Sequence, residues 1–159
     1  MRTFELVVPL LLSLVIPGGA LANELTFDRY HSYEETVRYL QRVAAEYPDL
    51  VTIESIGKSV EGRDLLLATV TDRSSGEPGE KPGVYVDGAH HGNEVASAEV
   101  PLYLIDFLIR KRLEHPVIAD LLASRTFYIL PRVNPDAAEW YYRGVAVRGN
   151  LHPKDDDGD

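Results

Sequence analysis

Val84-Tyr85-Val86-Asp87-Gly88-Ala89-His90-His91-Gly92-Asn93-Glu94 is the stretch on which the reading of this 159-residue chain turns. Residues 84–87 are a short β-branched and aromatic run, and the glycines at 88 and 92 bracket a turn. The pattern predicts a short buried strand that ends at Asp87. Beyond it the spacing predicts a helix over 97–112, with Val100, Tyr103, Leu104, Phe107 and Leu108 on one apolar stripe. Pro101 fits such a helix only near its first turn. Pro116 opens a shorter helix through Leu122, and residues 126–130 read as another strand. Strand, helix and strand over 84–130 form a βαβ crossover with parallel strands, so the chain belongs to the α/β class.

Working toward the N-terminus, Ser32 with Glu35 is a capping box. Tyr33, Val37, Leu40, Ala44 and Tyr47 repeat behind it as a helical stripe, which Pro48 ends. Residues 51–56 and 64–71 read as an antiparallel strand pair joined by the turn-sized segment 57–63. Residues 74–83, with two prolines and three glycines, read as a solvent loop. Asn134-Pro135-Asp136 reads as a turn, with Trp140, Tyr141 and Tyr142 packing on a short helix behind it.

Composition narrows the function classes. With 45% hydrophobic and 26% charged residues the chain has the balance of a globular domain. Its 25 acidic against 16 basic side chains give a net charge of −9, which argues against non-specific nucleic-acid binding. Without cysteine there is no disulfide and no thiolate-bound metal, so any metal must be held by His and carboxylates. Residues 1–22 read as a signal peptide. Arg2 precedes the apolar run 6–16, Pro17-Gly18-Gly19 break it, and Ala20-Leu21-Ala22 has the small-x-small cleavage pattern. Eleven apolar residues span roughly half a bilayer core, so no membrane span is expected and the mature chain, 23–159, is read as secreted or periplasmic.

His91 and Glu94 stand at H-x-x-E spacing directly after a predicted strand, where α/β proteins collect their ligands. Imidazole and carboxylate are the zinc ligands left to a chain without thiols. The spacing alone also fits a solvated turn. Asp87 could accept a hydrogen bond from His91 or cap the turn, and both roles stay open.

Five segments, in order, carry a resemblance. Residues 30–35 (Y-H-S-Y-E-E), 45–51 (A-E-Y-P-D-L-V), 56–63 (I-G-K-S-V-E-G-R), 88–94 (G-A-H-H-G-N-E) and 134–136 (N-P-D) together resemble the zinc carboxypeptidases of the carboxypeptidase A/B type. The resemblance implies a three-layer α/β/α fold with a mixed central sheet, here truncated, so that 23–159 is the N-terminal part of a catalytic domain. It implies Zn2+ bound by His91 and Glu94, with His90 orienting or packing rather than ligating. It implies hydrolysis of C-terminal peptide bonds by zinc-activated water, on peptide or protein C-termini as substrate. It implies an arginine a little after N-P-D that stabilises the oxyanion, for which Arg148 is the best match and Arg143 the second. The third ligand histidine, the Asn-Arg pair for the substrate carboxylate, a tyrosine and the general-base glutamate would all follow residue 159, so this piece alone is expected to be inactive. His115 and His152 follow no strand and read as solvated.

Asp155, Asp157 and Asp159 have the alternation of positions 1, 3 and 5 of a calcium loop, against the reading of a solvated acidic stretch. His91-Gly92-Asn93-Glu94 also resembles the motif of aspartoacylase and desuccinylase relatives and of cell-wall peptide amidases. The E-G-R hairpin and the signal peptide favour a peptidase over the deacylases. A non-catalytic secreted binding module is the remaining rival.

Overall fold

The computed structural model describes residues 25–145. The signal-peptide reading at 1–22, Arg148, His152 and the aspartates at 155, 157 and 159 lie outside the described residues. Helix α1 spans Tyr33–Glu46, β1 Val51–Lys58, β2 Asp64–Val70, β3 Gly83–Asp87, α2 Ala96–Lys111, α3 Pro116–Ser124, β4 Thr126–Leu130 and α4 Pro135–Tyr142. The four strands form one mixed sheet in the order β1-β2-β4-β3. β1 with β2, and β2 with β4, run antiparallel, while β3 and β4 run parallel, as the crossover requires.

Local chemistry sets the element ends. The capping box forms as read: the Glu35 amide donates to Ser32 Oγ at 3.2 Å and the Ser32 amide to Glu35 Oε2 at 2.9 Å. The stretch 74–83 is not a plain solvent loop. It contains two 3-10 turns, Arg73–Ser75 and Pro78–Glu80, before β3 begins at Gly83.

One core lies on one face of the sheet. Val51, Ala68, Val70, Phe127 and Ile129 share it with Tyr39, Leu40 and Val43 of α1, Leu102, Ile105, Leu108 and Ile109 of α2, and Leu122 of α3. Strand alternation sends Glu54, Leu67, Tyr128 and Tyr85 to the opposite face.

Three expectations need correction. The buried stripe of α1 is Thr36, Tyr39, Leu40 and Val43, with Leu40 the single residue shared with the expected stripe. Thr36 can be buried because its hydroxyl donates to the Ser32 carbonyl at 3.0 Å. In α2 the buried face is Ala98, Pro101, Leu102, Ile105, Leu108 and Ile109, leaving Val100 and Tyr103 65% and 51% exposed. The small residues Ala98 and Pro101 face inward because that side of the helix meets the strand-end loop closely. Finally, among the described residues β3 stands at one end of the sheet rather than buried within it, with Tyr85 59% exposed.

Candidate metal centre

The loop after β3 is clamped from two sides. An added Cβ on Gly88 would lie 2.0 Å from the Ser97 carbonyl oxygen and 3.1 Å from Pro101 Cγ. Pro101 has no N–H, so the carbonyl four residues before it is free of its helical partner and sits against the Gly88 backbone. A Cβ on Gly92 would lie 2.4 Å from the Ala137 Cβ in the first turn of α4. Both positions therefore require glycine.

Between these clamps the backbone is fixed by hydrogen bonds. Ala89 is held in the left-handed region at φ +52°, its amide donating to Ser97 Oγ at 2.9 Å. Val133 and Asn134 amides donate to the Gly88 and Ala89 carbonyls, both at 2.9 Å, extending the β3–β4 pairing past the sheet. The Asn134 side-chain amide reaches the His90 carbonyl at 3.4 Å. The Glu94 amide donates to the His91 carbonyl at 3.1 Å, closing the turn.

This turn brings His91 Nδ1 and Glu94 Oε1 to 3.3 Å from one another, with both side chains about half exposed. Donors at 2.0–2.2 Å from one tetrahedral zinc ion lie about 3.3–3.6 Å apart. The pair therefore fits two corners of such a site. Among the described residues no group of three His, Asp or Glu side chains converges on one point. Asp87 takes neither of its two expected roles: its carboxylate lies 3.1 Å from His90 Nε2, pairing the neighbouring imidazole instead. His90 is exposed, and its partner is this carboxylate.

The second choice for the catalytic arginine, Arg143, ends α4 with its guanidinium 5.7 Å from the centre of the Trp140 ring. Trp140 is of intermediate exposure and its Nε1 donates to Glu61 Oε1 at 2.6 Å, whereas Tyr141 and Tyr142, expected to pack, are 38% and 39% exposed at the end of the helix. His115 is exposed at the start of α3.

Two polar networks that no local sequence pattern marks anchor α4 and its approach. Asp136 is buried and accepts from Ser59 Oγ at 2.7 Å, the Glu61 amide at 2.9 Å and Arg63 Nη1 at 2.6 Å. Burial pushes its carboxyl pKa up, but these hydrogen bonds outweigh burial and hold it below the usual aspartate range. The second network joins the buried His31 and Arg132. Arg132 donates to the His31 carbonyl and faces Glu139 at 3.5 Å, while Glu99 takes the His31 amide at 2.8 Å and its Nδ1 at 2.6 Å. No spacing rule marks Arg132. Its one signal is a cation between Pro131 and Val133 just past a strand end.

The zinc carboxypeptidase family model matches residues 36–153. Carboxypeptidase D of Mus musculus is 35% identical over 119 residues, 74% of this chain and 9% of that protein. Carboxypeptidase Z of Mus musculus is 39% identical over 125 residues, 78% of this chain and 19% of that protein. The crystal structure of carboxypeptidase A from Helicoverpa armigera superposes with a TM-score of 0.66 at 32% identity, covering 79% of this chain and 30% of that one. The chain thus spans less than a third of each.

Proposed function

Because the chain belongs to the zinc carboxypeptidase family, we propose that residues 23–159 are the N-terminal part of a secreted metallocarboxypeptidase domain that hydrolyses C-terminal peptide bonds. The observation that carries this reading is the 3.3 Å separation of His91 Nδ1 and Glu94 Oε1 at the carboxyl end of β3. Zinc bound there supplies Lewis acidity and a water acidic enough to ionise near neutral pH. His91 and Glu94 hold the ion, and the turn between them sets their spacing. Asp87 orients His90 beside them. Arg148 is assigned the oxyanion of the substrate carbonyl, a role in which a fixed guanidinium acts on developing charge. The substrate class is a peptide or protein with a free C-terminal carboxylate.

The export reading rests on the pattern of residues 1–22. Expression in a secreting host should yield a mature chain that begins at Asn23, readable by intact mass; a retained Met1 in the exported protein would reject it.

Titration of Zn2+ into the 159-residue chain tests the centre. Binding is expected to be weak, as two protein donors allow, and lost in His91→Ala and Glu94→Gln. Unchanged affinity in both variants would overturn the assignment. The same chain should show no zinc-dependent release of C-terminal residues from a peptide, and detectable release would overturn that expectation.

A further inference from the structure

We infer that Asp136, gripped by Arg63, is a positioning residue for the loop that carries His91 and Glu94, although it touches neither. The inference rests on the reading of those two side chains as metal ligands. Asp136 occupies the second position of α4, and the next residue, Ala137, is the one on which Gly92 rests. Two residues before it, Asn134 caps the same helix through Ala137 N at 3.2 Å and supports the Ala89 and His90 carbonyls. The first turn of α4 is thus the floor of the loop.

The position of that floor is set from the far side, by the β1–β2 hairpin. Both oxygens of Asp136 are used: Oδ1 takes Ser59 and Arg63, Oδ2 takes the Glu61 amide. Trp140, one turn further along α4, is tied to the same hairpin through Glu61. Arg63 bridges Asp136 and Glu61, each at 2.6 Å. Charge-assisted hydrogen bonds of this length are the stronger kind and their geometry is directional. The contact between Gly92 and Ala137 has no slack, so displacement of the first turn displaces the loop. Ligand pairs tolerate only about 0.5 Å of misplacement, and loss of an outer support typically lowers metal affinity 10–100-fold.

A second anchor of α4 serves as the control. Glu139 takes the Tyr33 amide at 2.5 Å and faces Arg132, tying the helix to the start of α1 without touching the hairpin or the loop. Zn2+ alone is titrated into the full chain and its Asp136→Asn, Ser59→Ala, Glu139→Gln and His91→Ala variants, with far-ultraviolet circular dichroism at the titration temperature. Asp136→Asn should weaken zinc binding by about tenfold or more with the spectrum retained. Ser59→Ala, which removes one bond of three, should weaken it less and serves if the first variant does not fold. Glu139→Gln should stay within twofold. Zinc affinity within twofold of the parent in the folded Asp136 or Ser59 variant, with His91→Ala unable to bind, overturns the positioning role alone. Undiminished binding in His91→Ala overturns the metal-ligand premise and this inference with it.

Discussion

Gly92 lies so close to Ala137 that a methyl group on the glycine would stand 2.4 Å from the alanine Cβ and 2.5 Å from its carbonyl carbon. Neither the alanine nor the helix backbone beneath it can swing aside as a flexible side-chain end could. Gly92→Ala should therefore destabilise the chain by about 1–3 kcal/mol, the range for forced overpacking. Gly79→Ala, with nothing within 4 Å of the new methyl, should change stability by roughly 0.5 kcal/mol at most. Urea midpoints of the two variants decide the matter, and equal midpoints would mean the loop is not seated on α4.

The capping box of α1 predicts an acid-sensitive term. Hydrogen bonding from Arg29, then from the Ser32 amide, holds the Glu35 carboxyl at about 2, below the ordinary 4.5. A depressed carboxyl contributes stability that is present above 4.5 and lost as the pH falls toward 2. The side chain is 27% exposed, so solvent screens part of the effect. Loss of a cap is worth about 1 kcal/mol, or about 2–4 °C in a chain of this size. Between pH 5 and pH 2 the parent should lose more melting temperature than Glu35→Gln by that amount. Parallel pH profiles would show that the Arg29–Glu35 contact contributes nothing.

Lys81 offers a test away from the metal loop. Its ammonium bonds to Thr71 Oγ1 at 3.0 Å, Ser75 Oγ at 2.9 Å and the Asp72 carbonyl at 2.5 Å, holding the segment before β3 against the end of β2. Lys81→Met keeps the stem and removes one donor from each of these oxygens, which retain other hydrogen bonds, at a cost of about 1 kcal/mol. Zinc affinity should not change. A variant that loses zinc binding while still folded would tie this corner to the loop, contrary to the geometry.

What the sequence made legible was what neighbouring residues decide. Ser32 with Glu35, Pro48 after α1 and Pro116 at the start of α3 act within one helical turn, and each marks its boundary. His91 and Glu94 are three residues apart, so one turn suffices to bring them together. The misses are long-range. α2 is apolar on more than one side, and its buried face is chosen by the close approach of Gly88, a residue of another element. Val84-Tyr85-Val86 has the same composition at an edge as inside a sheet, and edge placement depends on which strand pairs with which. Asp136 reads as part of a turn because its partners Ser59, Glu61 and Arg63 are 73 to 77 residues away. Thr36 does not stand out in α1 because its polarity hides how well a local hydrogen bond prepares it for burial.

Arg132 carries the last prediction. It is 4% exposed, and burial pushes its pKa down while Glu139 and then Glu99 push it back up. Its guanidinium donates to the His31 carbonyl and faces Glu139, so it joins the segment before α1 to α4. Arg132→Ala leaves the Glu139 carboxylate inside a half-buried site without its cation, and removing one member of a buried pair costs about 3–5 kcal/mol. Arg132→Met with Glu139→Gln removes both charges while keeping most of the volume. The double variant should therefore recover part of that loss, because it leaves no buried charge without its counter-charge. A denaturant double-mutant cycle on Arg132 and Glu139 reads the coupling directly. Additive losses would show that the two side chains do not act as a pair. In that case the tie between α4 and the start of α1 would fall to the hydrogen bond from the Tyr33 amide to Glu139.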